Sequence, residues 1–266
     1  MKGRVLIIAG SDSGGGAGIQ ADIKTVTALL GYAMTAVTAL TAQNTLGVSA
    51  IHPVPDDFVA DQIRVVLDDL GADAVKTGML ATPGCIETVA EALQKLAGRV
   101  PVVVDPVMVA KGGHALSSDA AQQRLKQRLA PLATLLTPNI PEAEVLTGRP
   151  IRSLADMGEA GRALLDLGAS AVLVKGGHMA GDIINDLLVT GGGARCFTSE
   201  RVHTQHTHGT GCTLASAIAT GLAQGLALEA AVDRGRRYVA QAIRKAPGYG
   251  TGHGPLGHTH TVKPFP

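Results

Sequence analysis

A short glycine-containing turn that leads into an apolar helix is the segment of this sequence best suited to chemistry. His208-Gly209-Thr210-Gly211-Cys212-Thr213 runs directly into the alanine-rich stretch Leu214-Ala215-Ser216-Ala217-Ile218. The glycines allow a sharp turn, so backbone N–H groups without helical partners converge where the helix begins. These groups and the helix dipole would bind an anion such as a transferring phosphoryl group. An ordinary glycine turn before a core helix has the same pattern.

Other side chains that could act on a phosphate follow the ends of predicted strands. Lys175 would supply a mobile positive charge for phosphate oxygens, beside the N–H groups of Gly209–Cys212. Asp105, Asn139 and Glu142 offer the hard oxygen ligands that suit a Mg²⁺ ion bridging phosphates. Asn139 could instead be the N-cap of a helix with Pro141 in its first turn.

The glycine-rich segment Gly10–Gly18 differs from the common nucleotide-binding loops. Ile19 stands where G-x-G-x-x-G requires its third glycine, and the P-loop pattern occurs neither here nor at Gly209. We therefore expect this segment to let the backbone, including Gly10, approach a flat small molecule, with Asp22 one helical turn further on.

The remaining substrate-side candidates are an amide and two apolar side chains. Gln43 can donate and accept hydrogen bonds through one amide group, which matches the edge of an aminopyrimidine-like heterocycle. Met79 and Val107 would form apolar walls for the ring. With Gly10 and Asp22, these residues form the predicted substrate pocket.

Cys212 is the candidate proton acceptor. The dipole at a helix N-terminus would lower the pKa of its thiol, so that a thiolate could take the proton of an attacking hydroxyl group. Cys212 could also be a small residue tolerated in a crowded turn. Phosphoryl transfer relies mainly on positioning and charge stabilisation, so a base would help without being essential. We expect Cys85 and Cys196 to pack as small hydrophobic residues.

Apolar, β-branched runs alternate with helical patterns along most of the chain, which predicts a three-layer α/β/α fold with a central, mostly parallel sheet. The predicted strands are Val5–Ala9, Met34–Leu40, Asp73–Lys76, Val100–Val104, Thr134–Leu136, Ala171–Val174, Asp186–Val189 and an extended piece near Arg195–Val202. The predicted helices are Gly18–Leu30, Asp56–Asp69, Pro83–Leu96, Asp119–Leu129, Pro141–Leu146, Ser153–Leu167, Gly211–Ala223 and Leu228–Lys245. Ligands of parallel α/β sheets bind beyond the carboxyl ends of the strands. The candidate residues should therefore share one rim.

Composition restricts the class of protein. The 266 residues predict one α/β domain over 1–266, and no linker-like segment divides them. Hydrophobic residues make up 45% and aromatic residues only 2%, so the core must consist of aliphatic side chains, as in strands covered on both faces. The glycine triplet Gly191–Gly193 predicts a hairpin turn.

Charge, termini and cysteines indicate the environment. A net charge of +1 with scattered basic residues argues against binding to nucleic acid or to an anionic membrane. The apolar run Val5–Ala9 is too short for a secretory signal or a membrane span. The three cysteines lack CxxC spacing, which argues against disulfides and structural zinc and favours the cytoplasm. A homodimer is expected because symmetric dimers are the commonest oligomers.

The chain closely resembles the hydroxymethylpyrimidine and phosphomethylpyrimidine kinases of thiamine biosynthesis, a branch of the ribokinase-like superfamily. The resemblance covers nearly the whole length and is carried by the ordered motifs Ala9–Asp12, Gly14–Asp22, Thr38–Thr45, Lys76–Leu80, Asp105–Met108, Thr137–Ala143, Val174–His178 and His208–Thr213. His253 and His258 belong to what resembles the family's own tail motif. We therefore do not expect those residues and His260 to bind zinc.

The resemblance implies ATP- and Mg²⁺-dependent phosphorylation of 4-amino-5-hydroxymethyl-2-methylpyrimidine and then of its monophosphate. It implies that Gln43 contacts the pyrimidine edge, that Lys175 contacts ATP phosphates together with Asn139 and Thr210, and that Gly209–Cys212 form the anion hole. Most of the superfamily has an aspartate as catalytic base at the position of Cys212. A cysteine there resembles the pyrimidine kinases and some pyridoxal kinases.

Two other functions are compatible with the same residues. Pyridoxal or pyridoxine kinase would need a pocket of similar size and could use the same cysteine. A non-catalytic pyrimidine or nucleotide sensor would need no Lys175, Glu142 or anion-binding turn, so their presence argues against it.

Overall fold

A computed structural model describes residues 2–108 and 118–264 of the chain. Within these residues one sheet has nine strands in the order β3-β2-β1-β4-β5-β6-β7-β8-β9. The strands are β1 (Arg4–Asp12), β2 (Tyr32–Gln43), β3 (Val48–Pro53), β4 (Ala74–Thr77), β5 (Val102–Val104), β6 (Leu135–Leu136), β7 (Ala171–Val174), β8 (Ile183–Thr190) and β9 (Gly193–Glu200).

The centre of the sheet is parallel. The strands from β2 through β1, β4, β5 and β6 to β7 pair in parallel, whereas β3, β8 and β9 are antiparallel to their neighbours. The prediction of a mostly parallel sheet is confirmed. The carboxyl ends of six adjacent strands therefore lie along one edge.

Eight α-helices of the described residues cover the sheet. They are α1 (Gly18–Ala28), α2 (Asp56–Asp69), α3 (Pro83–Gln94), α4 (Asp119–Arg124), α5 (Ile140–Thr147), α6 (Leu154–Leu165), α7 (Thr210–Ala223) and α8 (Leu228–Arg244). Apolar residues of α1, α7 and α8 pack on one face of the sheet, and those of α2 to α6 pack on the other. The three-layer fold is confirmed.

Strand alternation explains the two layers of core. On β1, Leu6 and Ile8 join the cluster beneath α2 to α6, while Val5 and Ile7 join the cluster beneath α1 and α7. All four side chains are completely buried. A strand covered on both faces must be apolar at successive positions, as the sequence of β1 is.

The structure differs from the sequence prediction at two elements. Strand β3 (Val48–Pro53) was not predicted, because most of its residues are exposed and it lacks an apolar alternation. The helix predicted over Asp119–Leu129 is α-helical only to Arg124 and continues as a wider π-type turn over Leu125–Leu129. The predicted hairpin is confirmed, because Thr190 pairs with Gly193 across a tight turn between β8 and β9.

None of the helices in residues 2–108 and 118–264 is both long enough and apolar enough to cross a membrane.

Candidate active site

A cavity of about 730 Å³ opens at the carboxyl edge of the parallel strands. This volume falls within the range of sites for small organic ligands. Residues at the carboxyl ends of β1, β2, β4, β5, β6 and β7, or in the loops that follow these strands, line it, and so does the first turn of α7. The parallel topology thus brings together the candidate residues Gly10, Gln43, Met79, Val107, Asp105, Asn139, Glu142, Lys175, Gly209, Thr210, Gly211 and Cys212.

The turn before α7 has the backbone geometry of an anion-binding site. Gly209 is the N-cap of α7 with φ +84°, and no side chain caps this helix end. The Thr210 N–H makes a long hydrogen bond of 3.4 Å to the Thr207 carbonyl, whereas the N–H groups of Gly211 and Cys212, which follow in the first turn, can bind a ligand. A Cβ atom on Gly209 would lie 1.9 Å from the carbonyl oxygen of Gly16, so this position requires glycine both for its conformation and for space.

A lysine and two carboxylates stand beside this turn. The Nζ atom of Lys175 lies 3.0 Å from Asp105 Oδ1 and 3.9 Å from Glu142 Oε2. Burial lowers the pKa of Lys175, but the two carboxylates more than offset this effect and raise it above its usual value. A Cβ atom on Gly211 would lie 3.3 Å from Lys175 Nζ, so the lysine and the anion-binding turn face the same space.

Glu142 is poised between its charged and neutral forms. Burial raises its pKa to about 7, the charge of Asp105 adds to the increase, and Lys175 opposes it. One ammonium group thus faces two buried carboxyl groups. A hard cation, which prefers oxygen ligands, would relieve this excess of negative charge.

Asn139 and Glu142 also form the cap of α5. Asn139 Oδ1 accepts a hydrogen bond from the Glu142 backbone at 2.9 Å, and Glu142 Oε2 accepts one from the Asn139 backbone at 2.7 Å. With Pro141 in the first turn, the capping alternative is realised in full. Asn139 Oδ1 and Glu142 Oε2 are therefore both engaged in this cap, so neither atom is a free oxygen donor in the ligand-free protein.

On the substrate side, Gly10, Gln43, Met79 and Val107 line the cavity. A Cβ atom on Gly10 would lie 2.5 Å from Met79 Cε, so the absence of a side chain there lets the methionine lie against β1. Gln43 Oε1 lies 3.0 Å from the hydroxyl group of Thr41. An apolar wall and an amide group therefore face the same part of the cavity.

Asp22 does not line the cavity, and its prediction as a substrate contact is wrong. Its side chain has no solvent exposure, because it lies on the inner face of α1. Asp22 Oδ2 accepts a hydrogen bond from Lys76 Nζ at 2.8 Å, and Oδ1 accepts one from the Ser216 hydroxyl at 2.7 Å. Lys76 borders the cavity, although its side chain has no solvent exposure, so Asp22 supports the floor of the site from below.

The predicted decrease in the pKa of Cys212 is also wrong. Burial raises the pKa of the Cys212 thiol to about 11, and the charges of Asp22 and Asp105 add to the increase. The charge of Lys76 acts in the opposite direction without overcoming burial. Burial and the neighbouring carboxylates therefore favour the neutral thiol over the thiolate in the ligand-free protein.

The contact between Asp12 and His208 was not predicted from the sequence. The two side chains are buried, and Asp12 Oδ2 lies 2.8 Å from His208 Nε2. Asp12 ends β1 within the glycine-rich segment Gly10–Gly18, and His208 immediately precedes Gly209. A polar residue at a strand end was the available signal, but 196 positions separate the partners.

The three C-terminal histidines stabilise the tail. His258 is buried, its Nε2 atom lies 2.9 Å from the Thr213 hydroxyl, and burial lowers its pKa to about 4. His260 packs against the ring of Tyr238, and His253 Nδ1 lies 3.2 Å from a backbone carbonyl. In the described part of the chain, no group of three or more His, Cys, Asp or Glu residues is placed to hold a metal. A Mg²⁺ ion here would therefore need phosphate and water ligands in addition to Asp105 and Glu142.

The fold and the site together define a ribokinase-like small-molecule kinase, in which strand ends, a lysine and a helix N-terminus surround one cavity. A family model described as phosphomethylpyrimidine kinase matches residues 12–257. The chain belongs to this family.

Two curated relatives support the assignment. The thiamine biosynthesis bifunctional protein ThiED of Geobacter sulfurreducens is 56% identical over 258 residues, which are 97% of this chain and 52% of that protein. The chain thus spans about half of that relative. The hydroxymethylpyrimidine/phosphomethylpyrimidine kinase of Bacillus subtilis is 47% identical over 256 residues, 96% of this chain and 94% of that protein.

Solved structures include both kinds of vitamin kinase. An ADP complex of Bacillus subtilis pyridoxal kinase superimposes with a TM-score of 0.90 and 36% identity, covering 97% of this chain and 98% of that one. The phosphomethylpyrimidine kinase of Clostridium difficile has a TM-score of 0.81 and 42% identity, covering 91% of this chain and 100% of that one. The fold alone therefore does not separate the two substrates.

Proposed function

We propose that this protein transfers the γ-phosphoryl group of ATP to 4-amino-5-hydroxymethyl-2-methylpyrimidine and then to its monophosphate, in thiamine biosynthesis. The observation that carries the proposal is the meeting of Gln43, Lys175 and the turn Gly209–Cys212 in one cavity. The amide group suits an aminopyrimidine edge, and the lysine and the N–H groups suit phosphate oxygens. The family and its named relatives support the same substrate.

The substrate would lie with its ring between Met79 and Val107 and its edge against Gln43. Its hydroxymethyl group would then point toward the turn at Gly209–Cys212. Gly209, Thr210 and Gly211 would stabilise charge on the transferring group through their N–H groups, and Cys212 would accept the hydroxyl proton. Since burial keeps the thiol neutral without a ligand, that transfer would require the bound reactants to lower the pKa of Cys212.

ATP would occupy another part of the same cavity. Val202, Leu214, Val239 and Ile243 also line the cavity and offer an apolar surface for a flat base. Its phosphates would reach Lys175, Asn139 and Thr210. Asp105, Glu142 and Asn139 would hold Mg²⁺, which supplies charge neutralisation for the phosphates, and the two buried carboxyl groups beside one lysine fit a cation.

The test is product formation from each acceptor. Purified protein with ATP and Mg²⁺ should convert the free pyrimidine to the monophosphate and then to the diphosphate. Phosphorus NMR would detect both products. EDTA should stop both steps. ATP hydrolysis without phosphorylated pyrimidine, or binding without turnover, would favour the sensor and contradict the proposal.

We also propose a homodimer that works in the cytoplasm. The mixed surface charge and the cysteine content are consistent with a reducing compartment, and two-fold dimers are the usual oligomer. Sedimentation velocity at micromolar concentration should give twice the mass of the 27.1 kDa chain. A single species of monomer mass would contradict the dimer.

A further inference from the structure

A chain of hydrogen bonds connects the glycine-rich loop to the anion-binding turn. The carboxylate of Asp12 is 3% exposed and accepts backbone N–H bonds from Gly14 and Ala17, both at 2.8 Å. The same carboxylate lies 2.8 Å from Nε2 of His208, which directly precedes the turn. Asp12 therefore fixes both the loop and the imidazole ring.

This contact determines which nitrogen of His208 carries a proton. Burial acts to raise the pKa of Asp12, but hydrogen bonds from His208 and the backbone lower it below its usual value. Asp12 is thus ionised, and an ionised carboxylate only accepts hydrogen bonds. His208 must carry a proton on Nε2 and donate it to Asp12. That nitrogen cannot also accept a hydrogen bond.

Gln43 meets His208 at this same nitrogen. Gln43 Nε2 lies 3.4 Å from His208 Nε2, so two N–H donors face each other without an acceptor between them. Gln43 Oε1 lies 3.0 Å from Thr41 Oγ1, whose single hydrogen is also shared with the carbonyl oxygen of Ser11 at 2.9 Å. One hydroxyl hydrogen cannot serve both acceptors.

A rotation of the Gln43 amide by 180° satisfies every group. The amide nitrogen then donates to Thr41 Oγ1, and Thr41 donates to Ser11. The amide oxygen faces the N–H of His208, which keeps its main hydrogen bond to Asp12. The rotated amide still has one hydrogen and one lone pair free for a ligand in the cavity.

We propose that His208 and Thr41 are positioning residues that hold Gln43 in this rotated orientation and thereby specify an exocyclic amine beside an unprotonated ring nitrogen. The amine would donate to Gln43 Oε1, and the ring nitrogen would accept from Gln43 Nε2. An oxo group beside a ring N–H presents the reverse pattern. Because the hydroxymethyl group must face Gly209–Cys212, such a ring cannot turn over to compensate. This inference rests on the proposed function, since it assumes a pyrimidine at Gln43.

The test compares the binding of the aminopyrimidine alcohol with that of its 4-oxo analogue, by calorimetry without ATP. His208→Leu and Thr41→Val should each reduce the preference for the amine by about tenfold, the effect of one hydrogen bond. His208→Gln, which restores an N–H donor, should recover part of the preference. His52→Leu, on the exposed part of β3 outside the cavity, should leave it unchanged.

Each outcome has a separate meaning. If the His208 and Thr41 variants bind both ligands more weakly by the same factor, these residues only maintain the fold, and the inference is overturned. If His208→Leu does not fold, Thr41→Val decides the question, because it preserves side-chain shape. If the wild-type protein binds neither pyrimidine, the proposed function itself fails. Preferential binding of the amine with no turnover would leave the inference standing and contradict only the kinase activity.

Discussion

The ammonium group of Lys76 lies 2.8 Å from a carboxylate oxygen of Asp22, and neither side chain has any solvent exposure. Ser216 donates to the other oxygen of Asp22, one helical turn beyond Cys212 on α7. The pair thus joins α1, β4 and α7 directly beneath the proposed phosphoryl-transfer site. Opposite charges in such a place are stable only as a pair.

Removing one partner should therefore lower the free energy of unfolding more than removing both. Lys76→Met leaves a buried carboxylate without its cation and should lower the free energy of unfolding by about 3–5 kcal/mol in urea titrations. The double variant Lys76→Met with Asp22→Leu should recover much of that loss. Asp233→Asn, which breaks an exposed pair with Arg237, is the control and should have far less effect. Additive losses in the double variant would argue against a coupled pair.

Gly211 should tolerate no large side chain. A Cβ atom there would lie 3.3 Å from Lys175 Nζ and 3.5 Å from Asp105 Oδ2, and the branches of valine would extend further into this space. Gly211→Val should abolish turnover by blocking the approach of phosphate while leaving pyrimidine binding largely intact. Gly191→Ala, where an added Cβ meets no atom within 4 Å, is the matched control. Near-normal kcat in Gly211→Val would show that the anion hole is misplaced.

If Cys212 is the base, the reaction should be faster at alkaline pH. Burial raises the pKa of its thiol to about 11, so the thiolate fraction increases with pH throughout the neutral range. If the thiolate takes the proton, kcat/KM, which depends on the pKa values of the free enzyme, should rise toward high pH in the wild type, and this rise should flatten in Cys212→Ser, with little change in pyrimidine affinity. A proportional loss of kcat and affinity would indicate a packing role.

Alkylation gives an independent check on the thiol. Iodoacetamide at pH 7.5 should modify the exposed Cys196 well before Cys212, as measured by peptide mass. In the Cys196→Ser variant, the rate of Cys212 alkylation can be measured without modification of Cys196. Rapid modification of Cys212 near pH 7 would contradict a neutral thiol with a raised pKa.

Glu142 should make the stability of the ligand-free protein depend on pH. Its pKa is about 7 in the folded protein, above its ordinary 4.5, so folding favours the protonated form. This contribution to stability is complete below pH 4.5 and is lost as the pH rises through 7. The unfolding temperature of Glu142→Gln should therefore fall less between pH 4.5 and pH 7 than that of the wild type. Glu91→Gln, on exposed α3 surface, is the control. An identical decline in Glu142→Gln would exclude Glu142 as its source.

The sequence predicts the sheet well because burial on both faces leaves a local signature. Strands such as Val5–Ala9 and Ala171–Val174 are continuous apolar runs, and each is followed by the polar or glycine residues that line the cavity. Strand β3 leaves no such signature because it lies at an edge of the sheet and is largely exposed. That 1–266 forms one domain remains a prediction.

The site was harder to predict where partners lie far apart in the chain. Spacing gives no indication that Asp12 meets His208 or that Asp22 meets Lys76, since both contacts depend on the assembled sheet. The same limit explains the error at Cys212. The helix N-terminus was visible in the sequence, but the burial that dominates the thiol pKa was not.

The most direct test of the central claim is a comparison of kcat/KM for ADP formation with the aminopyrimidine alcohol, its monophosphate and pyridoxal, measured side by side. The proposed function predicts turnover of both pyrimidines with ATP and Mg²⁺, and a kcat/KM for each that exceeds the value for pyridoxal. A strong preference for pyridoxal would contradict it and would identify the cavity as that of a pyridoxal kinase.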